Sequence, residues 1–365
     1  MKKPLELKPL FLERMKSILS NEKDFQNYLK AIESEPPVSI RCNTLKISPE
    51  DLKERLNEKG WEIKQPFKGY PEIMIVGGKF SNKNSDNEEK NVNDKSHDNI
   101  SDNKDSSSIK NSSGGVGGKK LIPLEPGELG RALEHLLGYY YVQEIASMLP
   151  VLALNPKSGE LVLDLCASPG SKTTQIAAKM ENTGTIIANE VSLGRVKILA
   201  SNTERCGVTN VVITKKEGTA LCKRLKNSGF SFDKILIDAP CSGEGTLRST
   251  PRTAIMWNIN TVKKLSKIQK HLLEAALEVL KPNGDLVYST CTHAPEENEE
   301  VVDFVLKEFS DKVKIEKINL PVKCRNGLSG WAGGEYNHEV TKSCRIYPQD
   351  SDTEGFFIAK FRRVK

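Results

Sequence analysis

The stretch Leu161-Val162-Leu163-Asp164-Leu165-Cys166-Ala167-Ser168-Pro169-Gly170-Ser171-Lys172-Thr173 passes from an apolar run through a turn of small residues into a helical pattern. The run 161–165 is too short for a helix and lacks polar alternation, so it reads as a strand buried on both faces. A small-residue turn feeding a helix leaves backbone N–H groups free and lets a ligand approach the main chain. The turn is not G-x-G-x-x-G, because it holds one glycine. Nor is it a Walker loop, because Ser171 separates Gly170 from Lys172 and the upstream glycine is missing.

The same rhythm continues downstream. Apolar strand-like runs at 184–189, 210–214, 234–238 and 285–289 alternate with helical patterns at 172–179, 193–206, 261–280 and 296–308. That alternation predicts an α/β fold with a parallel sheet covered on both faces. Ligands in such sheets sit at the carboxyl ends of the strands. Chemistry is therefore expected just after residues 165, 189, 214, 238 and 289.

Upstream, 1–80 reads as a small mixed domain. It has helical spacing over 11–31, a strand at 38–46, a helix at 49–59 capped by Ser48 and stopped at Gly60, and a strand at 70–76. Residues 121–157 read as a connection, mostly helical from 127 to 154, and 158–365 as the catalytic domain. Between them, 81–120 holds nine Ser, eight Asn, seven acidic residues, seven Lys and only four hydrophobics. No core can be built from that, so a disordered insertion is expected. Its charges cancel, which leaves the net charge of +6 to the rest of the chain.

The whole chain, 365 residues with 54 Lys+Arg against 48 Asp+Glu, is mildly basic and compatible with a nucleic-acid partner. A mean hydropathy of -0.45 argues against a membrane protein. The least charged long stretch, 136–155, still contains Gln143, Glu144, Ser147 and Pro150. Met1-Lys2-Lys3-Pro4 leads into no apolar signal run, so a cytoplasmic location is expected. Eight cysteines lie scattered with no C-x-x-C pair and no zinc spacing. They read as cytosolic thiols with no metal site, and a pairing of Cys324 with Cys344 is left open.

The expected ligand rim carries further chemistry. Glu190, 26 residues after Asp164, is placed to bind ribose hydroxyls. Glu217 stands where an adenine amine would come. Turn plus two acidic residues describe a nucleoside cofactor with an amino-acid end, and Lys172 can pair with its carboxylate. Cys241 and Cys291 follow two strand ends in polar settings, where a helix N-terminus or a cation such as Lys172 would activate a thiol. A thiol beside such a cofactor suits methylation of a pyrimidine at C5. Addition of sulfur at C6 turns the ring into an enamine whose C5 attacks a sulfonium methyl. An acid near N3 or the exocyclic amine, such as Asp238, would assist, and the second thiol would aid release.

These residues resemble the RNA 5-methylcytosine methyltransferases of the Nol/Nop/Sun (bacterial Fmu-like) family. The likeness rests on 163–174, on Asp238-Ala239-Pro240-Cys241-Ser242-Gly243 and on Tyr288-Ser289-Thr290-Cys291-Thr292. Support comes from Arg41 to Lys46, Gln143 to Ser147, Gln269 with Leu272 and Leu273, Glu296 to Glu299 and Arg345 to Phe357. It covers nearly all of the chain except 81–120. The resemblance implies a seven-stranded, S-adenosylmethionine-dependent, Rossmann-like methyltransferase domain with its last strand, near 355–361, antiparallel. It also implies a small α+β RNA-recognition-like domain before it and no further appended RNA-binding domain.

The resemblance places Cys166, Ala167, Ser168, Pro169, Gly170, Ser171 and Lys172 around the methionine end of S-adenosylmethionine, Glu190 on the ribose and Glu217 near adenine. Arg195 takes a structural or cofactor role. Asp238 is the active-site acid and borders the cofactor, Cys291 is the covalent nucleophile, and Cys241 helps release. Ser168 stands where Ala is frequent, Glu217 where Asp is commoner, and Cys42 where an apolar residue is usual. The segment 134–144 looks most like archaeal tRNA-modifying members, so tRNA is the expected substrate, with rRNA as the alternative and no protein partner required. Lys263, Lys264, Lys267, Lys270, Arg362, Arg363 and Lys365 are candidates for phosphate contacts. Two other readings remain: a non-catalytic RNA-binding or assembly factor, and a methyltransferase acting on DNA or a small molecule. The intact Cys291 and Pro169-Gly170 turn oppose the first, and the Thr-Cys motif opposes the second.

Overall fold

The structure, a computed structural model, describes residues 5–80 and 120–364. The expected insertion therefore lies outside the described residues, apart from Lys120.

Two amphipathic helices open the described chain, Pro9–Leu19 and Glu22–Glu33, where the sequence pattern suggested one. Ser20 breaks the run in a left-handed conformation (φ 55°), and the Asn21 side chain caps the second helix. Their buried face, including Phe11, Met15 and Tyr28, packs on Leu247, Trp257 and Tyr347 of the catalytic part. Phe11 meets Trp257 edge-on at 5.5 Å.

A separate antiparallel sheet follows, in the order Trp61–Lys64, Ile73–Phe80, Ser39–Cys42, Tyr140–Val142, with Leu121–Ile122 added against Ile73–Phe80. The helix Pro49–Glu58 covers it through Leu52 and Leu56, and Ser48 accepts from Asp51 N–H at 3.1 Å as its cap. Cys42 is buried in this core, as packing would have it, and burial pushes its thiol up to about 12. The strand Trp61–Lys64 was not expected. The connection also differs: Tyr140–Val142 interrupts the helical run and pairs with Ser39–Cys42. Three residues are too few to show a periodicity, so only the partner strand defines them.

The larger sheet runs Val211–Thr214, Thr185–Asn189, Leu161–Asp164, Phe232–Asp238, Leu280–Thr290, Phe356–Arg363. The first five are parallel and the last is antiparallel to Leu280–Thr290. Val313–Glu316 pairs beyond it, which completes seven strands, and short strands Cys344–Ile346 and Arg325–Asn326 extend the same side. One face packs under helices Ile259–Leu277 and Glu299–Glu308, the other under Ile145–Leu154 and Ser171–Lys179. Helix Gly218–Asn227 was missed in the sequence reading because its apolar stripe is short. The strand order reverses between Leu161–Asp164 and Phe232–Asp238, and that switch point fixes where a ligand can enter.

Cys324 and Cys344 form a disulfide, with Cα atoms 5.4 Å apart. The pairing left open by the sequence is thereby present, and the other six cysteines are free thiols. Pairing of Arg325–Asn326 with Cys344–Ile346 brings Cys324 and Cys344 together, a contact that spacing alone does not reveal.

Candidate active site

The turn after Leu161–Asp164 is held from three sides. Ala167 N–H donates to Asn189 O at 2.8 Å, against the neighbouring strand. Gly170 enters helix Ser171–Lys179 with φ +104°, a conformation that favours glycine, and a Cβ there would reach Leu199 Cδ1 at 3.0 Å. Arg41, buried in the small sheet, donates to Ser171 O at 2.6 Å and to Thr174 Oγ1 at 2.8 Å. One guanidinium thus fixes the first turn of the helix to the other sheet. Asp164 accepts from Thr173 Oγ1 at 2.7 Å, and burial pushes its carboxyl up to about 7.

At the second strand end, Glu190 is buried, accepts from Ser192 N–H at 3.0 Å and lies 3.3 Å from Arg195 Nη1. Arg195 Nη2 donates to Ser168 O at 2.6 Å, and Ser168 Oγ donates back to Arg195 O at 3.0 Å. The hydroxyl of Ser168 thereby has a defined place, and Arg195 ties the turn to the Glu190 loop. Glu217 behaves differently. Its carboxylate caps helix Gly218–Asn227, accepting from Thr219 N–H at 3.0 Å and Ala220 N–H at 2.9 Å. Burial opposes ionisation there, but these hydrogen bonds hold the carboxyl below its ordinary range. The sequence reading did not anticipate this cap.

Two adjoining cavities open on the rim. The larger, about 440 Å³, is lined by Glu190, Arg195, Glu217, Gly218, Ile268 and Leu272 among others. Its acidic Glu190 beside an apolar slot suits a nucleoside. A side chain at Gly218 would collide with Leu272, so the slot depends on glycine there. The smaller, about 320 Å³, is lined by Tyr141, Glu144, Lys172, Ser249, Glu354 and Phe356 among others. Cys166, Ser168, Asp238 and Cys291 line both.

The thiols meet there, Cys291 lining both cavities and Cys241 the larger one. Phe232–Asp238 and Leu280–Thr290 are parallel neighbours with Asp238 opposite Ser289, so the residues just beyond converge. Cys241 Sγ and Cys291 Sγ lie 3.3 Å apart. The Cys291 thiol and then burial push the Cys241 thiol well above its ordinary range. Burial likewise raises Cys166. Asp238 accepts from Ser289 Oγ at 2.8 Å and from Lys172 Nζ at 2.7 Å, while Lys172 also donates to Ser147 Oγ at 3.0 Å. Lys172 is therefore ion-paired with Asp238 and hydrogen-bonded to neither thiol.

The two cysteine loops are stitched together. Ser242 N–H donates to Glu297 at 3.1 Å, Gln269 Nε2 bridges Glu297 and Pro240 O, and Ser242 Oγ meets Thr292 Oγ1 at 2.8 Å. Burial pushes the Glu297 carboxyl up to about 7. Thr290 and Thr292 are both held by the Asn298 side chain.

Some expected phosphate contacts are engaged elsewhere. Lys270 pairs with Glu300 at 2.7 Å, Arg362 with Asp285 at 2.7 Å, and Arg363 donates to Leu280 O at 2.5 Å. Lys263, Lys264 and Lys267 are exposed, and Lys365 lies outside the described residues. The sequence reading did not single out Tyr141, Glu354 and Phe356 as site residues. The stretches Gln143 to Ser147 and Arg345 to Phe357 carry the family likeness without a local chemical signal of their own.

A family model described as 16S rRNA methyltransferase RsmB/F matches residues 151–362, and one described as the RsmF/B-like ferredoxin-like domain matches 11–76. The chain belongs to the RsmB/F RNA methyltransferase family. Among RsmB/F relatives, a tRNA (cytosine(49)-C(5))-methyltransferase of Pyrococcus abyssi is 47% identical over 65% of this chain and 74% of its own length. Ribosomal RNA small subunit methyltransferase F of Vibrio parahaemolyticus is 36% identical over 97% of this chain, which spans 62% of that relative. A crystal structure of a methyltransferase homolog from Pyrococcus horikoshii superposes with TM-score 0.74 at 32% identity, covering 98% of this chain and 96% of that one. The expected α/β methyltransferase fold with a small N-terminal domain is thereby established.

Proposed function

We propose that this RsmB/F protein methylates C5 of cytosine in RNA, with tRNA as the substrate, through a covalent bond between Cys291 and C6. The observation that carries the reading is the pair of thiols 3.3 Å apart where the two cavities meet beside Asp238. S-adenosylmethionine, in the larger cavity, would supply the methyl group. Glu190 accepts ribose hydroxyls there, and the slot beside Gly218 and Leu272 takes adenine. The target cytosine enters the smaller cavity, which requires it to leave its stack.

Cys291 attacks as thiolate and forms the S–C6 bond. The ring electrons move toward N3, which takes up a proton relayed from the Lys172 ammonium through Asp238, and C5 becomes the nucleophile. After C5 has gained its methyl group, a base removes the C5 proton and the S–C6 bond breaks, restoring the aromatic ring. Cys241, protonated next to Cys291, is placed to move protons during this release. Lys172 orients Asp238.

The 47% identity to the archaeal tRNA enzyme supports tRNA. A second reading, small-subunit rRNA, rests on the Vibrio relative that matches 97% of the chain. Among the described residues no helix is long and apolar enough to cross a membrane, and an RNA substrate accords with a cytoplasmic location. Incubation with labelled S-adenosylmethionine and unmodified tRNA or rRNA, followed by bisulfite mapping, tests the reading. A 5-methylcytosine at one tRNA position is expected. Methyl transfer to adenine, to protein or to no RNA at all would overturn it.

A further inference from the structure

The smaller cavity contains a carboxylate that the chemistry above does not use. Glu354 is 3% exposed, lines that cavity together with Cys291 and Asp238, and accepts from Ser249 N–H at 2.8 Å through Oε1. Its other oxygen, Oε2, is buried and has no hydrogen-bond partner among the described residues. A buried polar atom left unpaired is costly, and a ligand that supplies the missing donor recovers the cost. Burial raises the Glu354 carboxyl above its ordinary range, against the lowering by Ser249 and Arg248.

The placement of Glu354 is tied to the nucleophile through backbone hydrogen bonds. Gly245 N–H donates to Cys291 O at 2.9 Å, and Gly355 N–H donates to Gly245 O at 2.9 Å. A Cβ on Gly355 would meet Gly245 Cα at 2.9 Å and overlap the His293 ring, so the close approach of these segments requires glycine at 355. Glu354 N–H in turn donates to Glu144 Oε1 at 3.0 Å, on the same cavity wall. Glu354 is therefore held in register against Cys291 by two backbone hydrogen bonds and by the Glu144 carboxylate.

Of the two RNA pyrimidines only cytosine carries an exocyclic amine with two N–H donors at C4, where uracil carries the acceptor O4 beside its N3–H. Asp238 is assigned to N3 above, whereas Glu354 Oε2 has no hydrogen-bond partner among the described residues. We propose that Glu354 accepts a hydrogen bond from the 4-amino group of the target cytosine and so sets the preference for cytosine over uracil, whose O4 it would repel. This assignment rests on the cytosine reading of the function.

The test is a cycle between protein and RNA, using the full chain with S-adenosylhomocysteine in a Cys291→Ala background so that no covalent bond forms. The probe is a transcript carrying the bisulfite-mapped target as cytidine, or as 2-pyrimidinone ribonucleoside, which lacks only the 4-amino group. With Glu354 present, loss of the amine should weaken binding roughly 10- to 100-fold. With Glu354→Ala the two RNAs should bind within about threefold of each other, the scale of ordinary experimental additivity. Glu354→Gln, which keeps an oxygen for Ser249 N–H and turns a donor toward the amine, should also lose the preference, and it carries the test if the alanine variant does not fold. Equal penalties for amine loss with and without Glu354 would overturn the proposal while leaving cytosine methylation standing. A wild-type protein that makes no 5-methylcytosine would overturn both.

Discussion

Replacing each active-site thiol separately distinguishes their roles. In the structure Cys241 sits 3.3 Å from Cys291, close enough for a proton to pass directly between sulfur atoms. Its own proton is held tightly, because the Cys291 thiol and burial both raise it. A thiol in that state is a poor nucleophile, which leaves the attack to Cys291, and its 3.3 Å approach to that sulfur is what places Cys241 to assist release. Cys241→Ala should therefore still add Cys291 to C6 and complete one methyl transfer per enzyme. Release should then slow by about 10²- to 10⁴-fold, the usual contribution of a positioned acid–base group. Cys291→Ala removes the bond-forming atom and should abolish turnover. A denaturing gel with labelled RNA and cofactor reads both outcomes: a retarded covalent band for Cys241→Ala and none for Cys291→Ala. The reverse pattern would exchange the roles and bring the mechanism closer to attack from the Pro-Cys loop. Full turnover in both variants would refute covalent catalysis.

Glu190→Ala should weaken S-adenosylmethionine binding by roughly 1–3 kcal/mol, the scale of hydrogen bonds to a charged acceptor, and calorimetry showing unchanged affinity would remove Glu190 from the ribose. His293 is buried against Tyr347 and Tyr28, and burial lowers its pKa to about 3. The unfolded chain then binds the extra proton between the ordinary histidine value and pH 3, so stability should fall with acidification across that window by up to about 1.4 kcal/mol per pH unit. His293→Phe should flatten this limb of the urea-midpoint profile, and an unchanged profile would contradict it. Phe80 lies opposite Leu121 in an antiparallel pair, so the ends flanking the intervening segment already meet. Exchanging 81–120 for a two-residue turn should leave Tm and methylation rate nearly unchanged, and a large loss of either would show that the segment contributes to the fold or to RNA binding.

Much of the catalytic half was legible because its signals are local. Apolar runs too short for helices, each followed by a small or polar residue, announced the parallel strands and the rim where Glu190, Asp238, Cys241 and Cys291 stand. The first helical pattern was legible as helix but not as two, because the break at Ser20 depends on backbone conformation more than on composition. Tyr140–Val142 could not be recognised, since a three-residue strand has no pattern of its own and exists through its pairing with Ser39–Cys42.

The sequence by itself determined which residue types stand at the strand ends, because strand length and turn composition follow from nearest-neighbour chemistry along the chain. Only the tertiary structure decided what those residues face. Lys172 was available to a thiol, a ligand or a carboxylate, and the fold placed it 2.7 Å from Asp238. Glu217 was a free acid on paper and became a helix cap. Cys324 and Cys344, twenty residues apart, were brought together by strand pairing. Glu354, unremarkable in the sequence, came to share a cavity with Cys291 through the backbone contacts of Gly245 and Gly355. Partner choice among charged and sulfur-bearing side chains depends on distances across the fold, and those distances are set by sheet order and packing, which no local stretch of sequence contains.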